Sequence, residues 1–305
     1  MKSPDLTRRA TIACIAVLVA GSALGFLDGR LGLGSRMQPD LHIIAMSAAQ
    51  ALLLLCAARY LNRSARRSGG RDKFTVNRRF RLSWLSVTVF AALSATLAGI
   101  LINAAMSAVP WINGPSGDSA GIYSGISPPA LAVAVVVLPA LSEEYFFRKA
   151  VLSAYRNRSY GAAVAASALL FSLLHASALN FAAPLFAGVL YALLTLLLQS
   201  VYPAMLAHII NNAMSLLIYA YEDRIRALGL GGYLLFLVLV LFFLCSYAAL
   251  KLAETHLAKM NLPEKDNRLS ARIQKSAFSP LLSLPFLALV LLWIARTALK
   301  TLGYI

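Results

Sequence analysis

GYLLFLVLVLFFLCSYAAL, residues 232–250, carries no charged side chain and spans about 28 Å as a helix. That length matches the roughly 30 Å hydrocarbon core of a bilayer, so the segment reads as a transmembrane helix. Eight further apolar stretches lie around it, at about 10–27, 41–58, 82–109, 128–155, 161–180, 181–200, 201–220 and 280–295. The 305-residue composition agrees: 59% of residues are hydrophobic and 13% charged, against the roughly 25% charged of a soluble domain. The fold class is therefore all-α, a polytopic transmembrane helical bundle of about eight to nine spans, and an ordinary soluble enzyme is excluded.

Lys plus Arg number 28 and Asp plus Glu 12, a net charge of +16. The basic residues gather between the apolar spans, above all in 59–81 (Arg59, Arg63, Arg66, Arg67, Arg71, Lys73, Arg78, Arg79, Arg81) and 251–279. Cytoplasmic loops show this bias, so the charge is a topology signal with the N-terminus inside and with anionic lipid as a secondary partner. No motif or aromatic platform accompanies it, so no nucleic-acid partner is expected. The 110–127 loop has no Lys or Arg and falls outside, whereas Arg296 and Lys300 fit this sidedness poorly. Met1–Arg9 and the apolar stretch after it have the layout of a signal peptide, but the stretch is long and lacks an A-x-A site, so it is read as a retained span. Short loops without an organelle address point to a prokaryotic cytoplasmic membrane. Cys14, Cys56 and Cys245 lie within spans without C-x-x-C spacing and read as packing residues.

Ionisable side chains in such spans are expensive and mark sites or pathways. Three places hold them: LSEEYFFRKAVL at 141–152, LLFSLLHASALNF at 169–181 and MLAHIINNAMSLL at 205–217. Glu144 and Arg148 share a helix face at i,i+4, while Glu143 is rotated by about 100° and left free to act as a base. Phe171 and His175 share a face by the same spacing, as do His208 and Asn212. Glu143 and His175 come to similar depth, about 18–21 Å from the ends of their helices. His208 lies nearer that end, so a tilt would be needed to join them. His42 and His256 read as structural or solvated.

In order, EEYFFR (143–148), FSLLH (171–175) and HIINN (208–212) resemble the E-E-x-x-x-R, F-x-x-x-H and H-x-x-x-N motifs of the CAAX protease and bacteriocin-processing family of intramembrane proteases, which includes the type II CAAX prenyl endopeptidases. The resemblance covers about 128–220. It divides the chain into N-terminal helices (1–127), a catalytic core (128–220) and C-terminal helices (221–305). It implies hydrolysis of a peptide bond in a membrane-associated, prenylated or leader-type substrate. Glu143 with His175 would activate water, His208 and Asn212 would stabilise the oxyanion, and Glu144, Arg148 and Phe171 would support the site. Glu143, His175 and His208 also form a three-donor set for Zn²⁺, so the cofactor stays open between zinc and none, with metal-free chemistry favoured.

Other protease classes fit less well. GIYSG at 121–125 lies in a Gly/Pro loop rather than in a helix, as a rhomboid-type serine would require. Asp5, Asp28, Asp40, Asp72 and Asp118 read as terminal or loop-borne, against an aspartyl type, and no H-E-x-x-H occurs. The alternative function is a non-hydrolytic membrane scaffold or bacteriocin self-immunity protein, or a proton-coupled transporter, although the repeats a transporter would show are missing.

Overall fold

The computed structural model describes residues 6–67, 81–107, 123–156, 159–175, 181–258 and 283–301. Nine long helices follow one another among them: α1 (Leu6–Leu31), α2 (Pro39–Arg67), α3 (Leu85–Ser107), α4 (Pro128–Arg156), α5 (Tyr160–Leu174), α6 (Ala182–Leu198), α7 (Tyr202–Ala220), α8 (Gly231–Ala258) and α9 (Leu284–Thr301). No β-strand occurs among the described residues. Six of the helices, α1 to α4, α7 and α8, are long and apolar enough to cross a membrane. At 15 and 17 residues, α5 and α6 reach only about 22 and 25 Å, less than a full crossing.

Each expected span corresponds to a helix, but several boundaries differ, and for three of them packing gives the reason. α2 continues to Arg67 because its inner face stays covered at Leu61 and Ser64, so Arg59, Arg63, Arg66 and Arg67 are helical rather than loop residues. The rest of the basic loop, 68–80, lies outside the described residues. α8 runs on to Ala258, where Leu252 and Ala253 still pack against core and His256 meets Trp84 edge-on at 6.4 Å. His256 is thus a packing residue on a helix, not a solvated loop residue. α5 stops at Leu174, well short of 180, which leaves His175 at a helix end.

Two apolar clusters make the core. One joins α1, α2, α4, α5 and α9 through Cys14, Leu54, Phe146, Tyr155, Leu170 and Leu289. The other joins α3, with Trp84 in the turn just before it, to α6 and α7 through Ala95, Tyr191, Leu194 and Ala207. By contrast α8 buries none of its residues; it packs along α3 and turns Phe236, Phe243 and Tyr247 outward. An outward apolar face of that length is solvated by hydrocarbon, as an integral membrane protein requires.

The entry to α4 is pinned from outside. Its Pro128-Pro129 start supplies no N–H where none is needed, and the Asp40 carboxylate on α2 accepts the Ser127 backbone N–H at 2.7 Å. Asp28 lies within α1 rather than in a loop and pairs with His42 of α2 at 2.9 Å, closing the α1–α2 hairpin. At the start of α5, the Ser159 hydroxyl caps the Ala162 N–H at 3.0 Å.

α5 and α6 pack as a close antiparallel pair, and Gly188 permits it. A Cβ there would lie 3.1 Å from Ala168 Cα and 3.2 Å from the Phe171 ring. Small residues at helix contacts serve this purpose in membranes, where dispersion replaces the hydrophobic drive. Gly188→Ala is therefore expected to destabilise the protein by ~1–3 kcal/mol through overpacking. Gly25→Ala, at a position with open space around it, should be neutral or slightly stabilising. Thermal unfolding of the detergent-solubilised variants tests both expectations.

Candidate active site

α4 is not a uniform α-helix. It widens into π-helical turns at Ala132–Val137 and Tyr145–Val151, with the Glu143-Glu144 pair at the end of the α-helical turns between them. Such widened turns often accompany functional sites. Pro139 sits between the two, and its missing N–H withdraws the α-helical donor from the Val135 carbonyl. Asn212 of α7 takes over that donation, its Nδ2 lying 3.2 Å from Val135 O. The neighbouring Asn211 accepts from Thr96 Oγ1 of α3 at 2.9 Å. α7 is thus tied to the helices on both sides of it.

Glu144 and Arg148 form an ion pair at i,i+4, with Arg148 Nε 2.8 Å from Glu144 Oε2 and both side chains fully buried. This closest contact lies outside hydrogen-bond angles, so those two atoms attract by charge rather than by a directed bond. Directed bonds involve other atoms: Arg148 Nη2 donates to Glu144 Oε1 at 3.5 Å and Nη1 to Ser167 Oγ at 2.7 Å, and Ser167 Oγ donates to the Phe147 carbonyl at 3.1 Å. The rings of Phe171 and Tyr191 flank the guanidinium at 5.1 and 5.9 Å, within cation–π range. Phe171 belongs to the first core cluster and Tyr191 to the second, so the cation sits at their junction.

The second Glu144 oxygen, Oε1, lies 3.0 Å from His208 Nδ1. A carboxylate paired with a guanidinium can only accept, so Nδ1 carries the hydrogen. His208 Nε2 lies 3.9 Å from Glu143 Oε2, and the ring is stacked on Tyr191 at 5.2 Å with Phe171 edge-on at 5.8 Å. Although His208 lies near the start of its span, its ring comes within 3.9 Å of Glu143 and 3.0 Å of Glu144.

His175 is set by the end of α5. Its backbone N–H bonds to Ser172 O rather than to Phe171 O, and the freed Phe171 carbonyl accepts from His175 Nδ1 at 3.2 Å. A carbonyl has no hydrogen to give, so in the neutral ring Nε2 is left bare as an acceptor. The F-x-x-x-H spacing thus encodes a tautomer. Ser172 in turn donates to the Phe181 carbonyl, tying the end of α5 to the start of α6.

Glu143 and Glu144 divide the work by exposure: Glu144 is sealed at 0%, while Glu143 is 23% exposed and has no hydrogen bond among the described residues. Glu143 and His175 both line two adjoining cavities. One, of about 290 Å³, is bounded by α1, α2, α4, α5 and α9; the other, of about 330 Å³, by α4, α7 and the turn at Tyr123. His208 and Asn212 line the second, and Tyr123 meets Tyr219 edge-on at 5.1 Å on its wall. Burial, and then the neighbouring Tyr219, push the Tyr123 pKa up, so its hydroxyl stays a donor at neutral pH.

All seven residues singled out in the sequence, Glu143, Glu144, Arg148, Phe171, His175, His208 and Asn212, converge here. Ser167 and Tyr191 were missed. Ser167 lies one turn before Phe171 on the face that carries His175, a signal the i,i+4 rule would have caught. Tyr191 looked like any apolar aromatic in a span. Among the described residues no group of three His, Cys, Asp or Glu, Glu143, His175 and His208 included, is arranged to hold an ion. His208 Nδ1 is held by Glu144 and His175 Nδ1 by the Phe171 carbonyl, so Nε2 is the nitrogen each ring can present to a ligand.

Fold and site together define an integral membrane protein with a buried Glu/His/Arg centre open to cavities. Residues 125–214, from the turn before α4 into α7, match the family model described as type II CAAX prenyl endopeptidase Rce1-like. The match covers 90 of the 305 residues. No curated protein matches the chain significantly. No solved structure does so either.

Breaking the buried pair on one side leaves an uncompensated charge. Arg148→Met or Glu144→Leu alone is expected to cost ~3–5 kcal/mol, whereas the double variant should recover most of it. Thermal melts of the three variants in one detergent measure the coupling.

Proposed function

We propose that the protein is a membrane-embedded endopeptidase acting on a peptide bond of a membrane-associated substrate, prenylated or leader-type. The observation that supports this best is the joint exposure of Glu143 and His175 to two adjoining cavities, beside the sealed Glu144–Arg148 pair that holds His208.

In this reading a water held between Glu143 and His175 Nε2 loses a proton to that pair as its oxygen bonds to the substrate carbonyl carbon. The carbonyl oxygen becomes an oxyanion, which needs nearby donors. Asn212 offers the Nδ2 hydrogen not used by Val135. His208 can donate from Nε2 only when both its nitrogens are protonated, because Nδ1–H is committed to Glu144. Collapse of the tetrahedral intermediate breaks the C–N bond, and the stored proton passes to the leaving amine. Glu144, Arg148, Ser167 and Tyr191 act as positioning residues.

The reading places the helices within 128–220 at the centre of the chemistry, between N-terminal (1–127) and C-terminal (221–305) helices that shape access. The location proposed is a prokaryotic cytoplasmic membrane, from the short loops, with the N-terminus inside, from loop charge.

Replacing Glu143 with Gln removes the base while keeping size, and turnover is expected to fall by at least ~10²–10⁴-fold without loss of thermal stability. Mass spectrometry of protein termini, in membranes from cells lacking the protein and complemented with wild type or Glu143→Gln, supplies the test. Termini present only with wild type support proteolysis and name the substrate. Identical termini with a phenotype restored by both would favour the scaffold, immunity or transport readings instead.

A further inference from the structure

Arg296 fits the loop-charge topology poorly, and the structure gives it a location that topology does not explain. It lies on α9, outside the residues matched by the family model, yet its side chain lines the 290 Å³ cavity that Glu143 and His175 also line. No other Lys or Arg among the described residues lines either cavity. Arg296 is partly buried and has no hydrogen bond or ion pair among the described residues, unlike Arg148, which is paired with Glu144 and bonded to Ser167. α9 is firmly seated: Leu289 is fully buried, and Trp293, one turn before Arg296, packs on Phe181 at 5.4 Å. Twelve residues after Leu284, Arg296 is about 18 Å along its helix, the same axial distance that separates Glu143 from Tyr155.

A cation in a membrane protein that faces an interior cavity marks a binding site or pathway. Here the cavity also holds Glu143, whose negative charge repels an anionic ligand, so a guanidinium at the same cavity offsets that repulsion. The remaining walls are largely apolar, with Val17, Leu18, Leu53, Leu54 and Leu174. At about 290 Å³, just under the ~300–1,000 Å³ range for small-ligand sites, the volume suits a short peptide end and not a long chain. Arginine's planar fork matches a carboxylate bidentately.

We infer that Arg296 is the anchor of a carboxylate subsite, which receives the apolar, anionic end of the bound peptide while the scissile bond lies over Glu143 and His175. This deepens the protease reading and rests on it for the identity of the ligand. It also orients the substrate: the released fragment that carries the carboxylate occupies the cavity beside α9, and the other cavity, toward Tyr123 and Tyr219, takes the chain on the far side of the cleaved bond.

The test measures binding, so that it does not depend on turnover. The full chain, in nanodiscs of zwitterionic lipid and in the Glu143→Gln background, is titrated with an apolar hexapeptide. The peptide is prepared as the free acid, as the C-terminal amide, and as an amide with aspartate in the last position. The acid is expected to bind about tenfold to a hundredfold more tightly than the plain amide, the range for a charge-assisted pair. Arg296→Gln should bring the acid down to the level of the amide, and Arg296→Lys should recover part of the difference. Arg296-dependent binding of the aspartate amide supports the subsite with a side-chain carboxylate as its source; acid-selective binding supports a chain terminus.

Equal binding of acid and plain amide with no gain from the aspartate, a preference that survives Arg296→Gln, or no binding of any peptide overturns the subsite. So does loss of the preference when anionic lipid is added, which would give Arg296 to a lipid phosphate. A protein that binds the acid through Arg296 yet yields no Glu143-dependent termini keeps the subsite and loses the protease reading. One that cleaves without carboxylate preference loses only the subsite.

Discussion

A fully buried ion pair between Glu144 and Arg148 is the constraint around which the interior is organised. Withdrawing such charges from water costs several kcal/mol per ion, and attraction between them offsets this only when further polar partners are present. The protein provides these from three other helices: Ser167 on α5, the Tyr191 face on α6 and His208 on α7. Because those partners satisfy the pair, α4, α5, α6 and α7 are held in one register. The same contacts that make the charges tolerable aim His208 at Glu143.

Helix irregularities complete the site. A regular α-helix in a membrane satisfies its own backbone and offers nothing to neighbours. Here Pro139 frees a carbonyl that Asn212 uses, and the early end of α5 frees one that His175 uses. In both cases an unspent backbone acceptor on one element fixes a side chain that faces the cavity. α5 ends at Leu174, and His175 just after it lines the same cavities as Glu143.

Much of this was legible in the sequence. The i,i+4 rule separated Glu144 from Glu143 and paired Glu144 with Arg148 before any coordinates, because helical geometry is nearly context-free. Apolar runs located all nine helices for the same reason. What could not be read was where a helix stops inside an apolar stretch: residues 169–181 look equally lipid-compatible on both sides of His175, and only packing against α6 and the Ser172–Phe181 bond decides the end. Tyr191 and Arg296 escaped for a related reason. Their roles depend on which helix they face, and periodicity within a single span does not carry that information. His256 and Asp28 were assigned to loops because a charged residue near the edge of a span looks terminal, whereas both helices simply continue.

The central claim is that the sealed pair orients His208 through a hydrogen on Nδ1. Nitrogen-15 NMR of histidine-labelled protein at neutral pH, with His208 assigned by its loss in His208→Gln, reads the protonation of each ring nitrogen directly. A protonated Nδ1 hydrogen-bonded to a carboxylate is the result this account predicts. A bare Nδ1 with the hydrogen on Nε2 alone would contradict it.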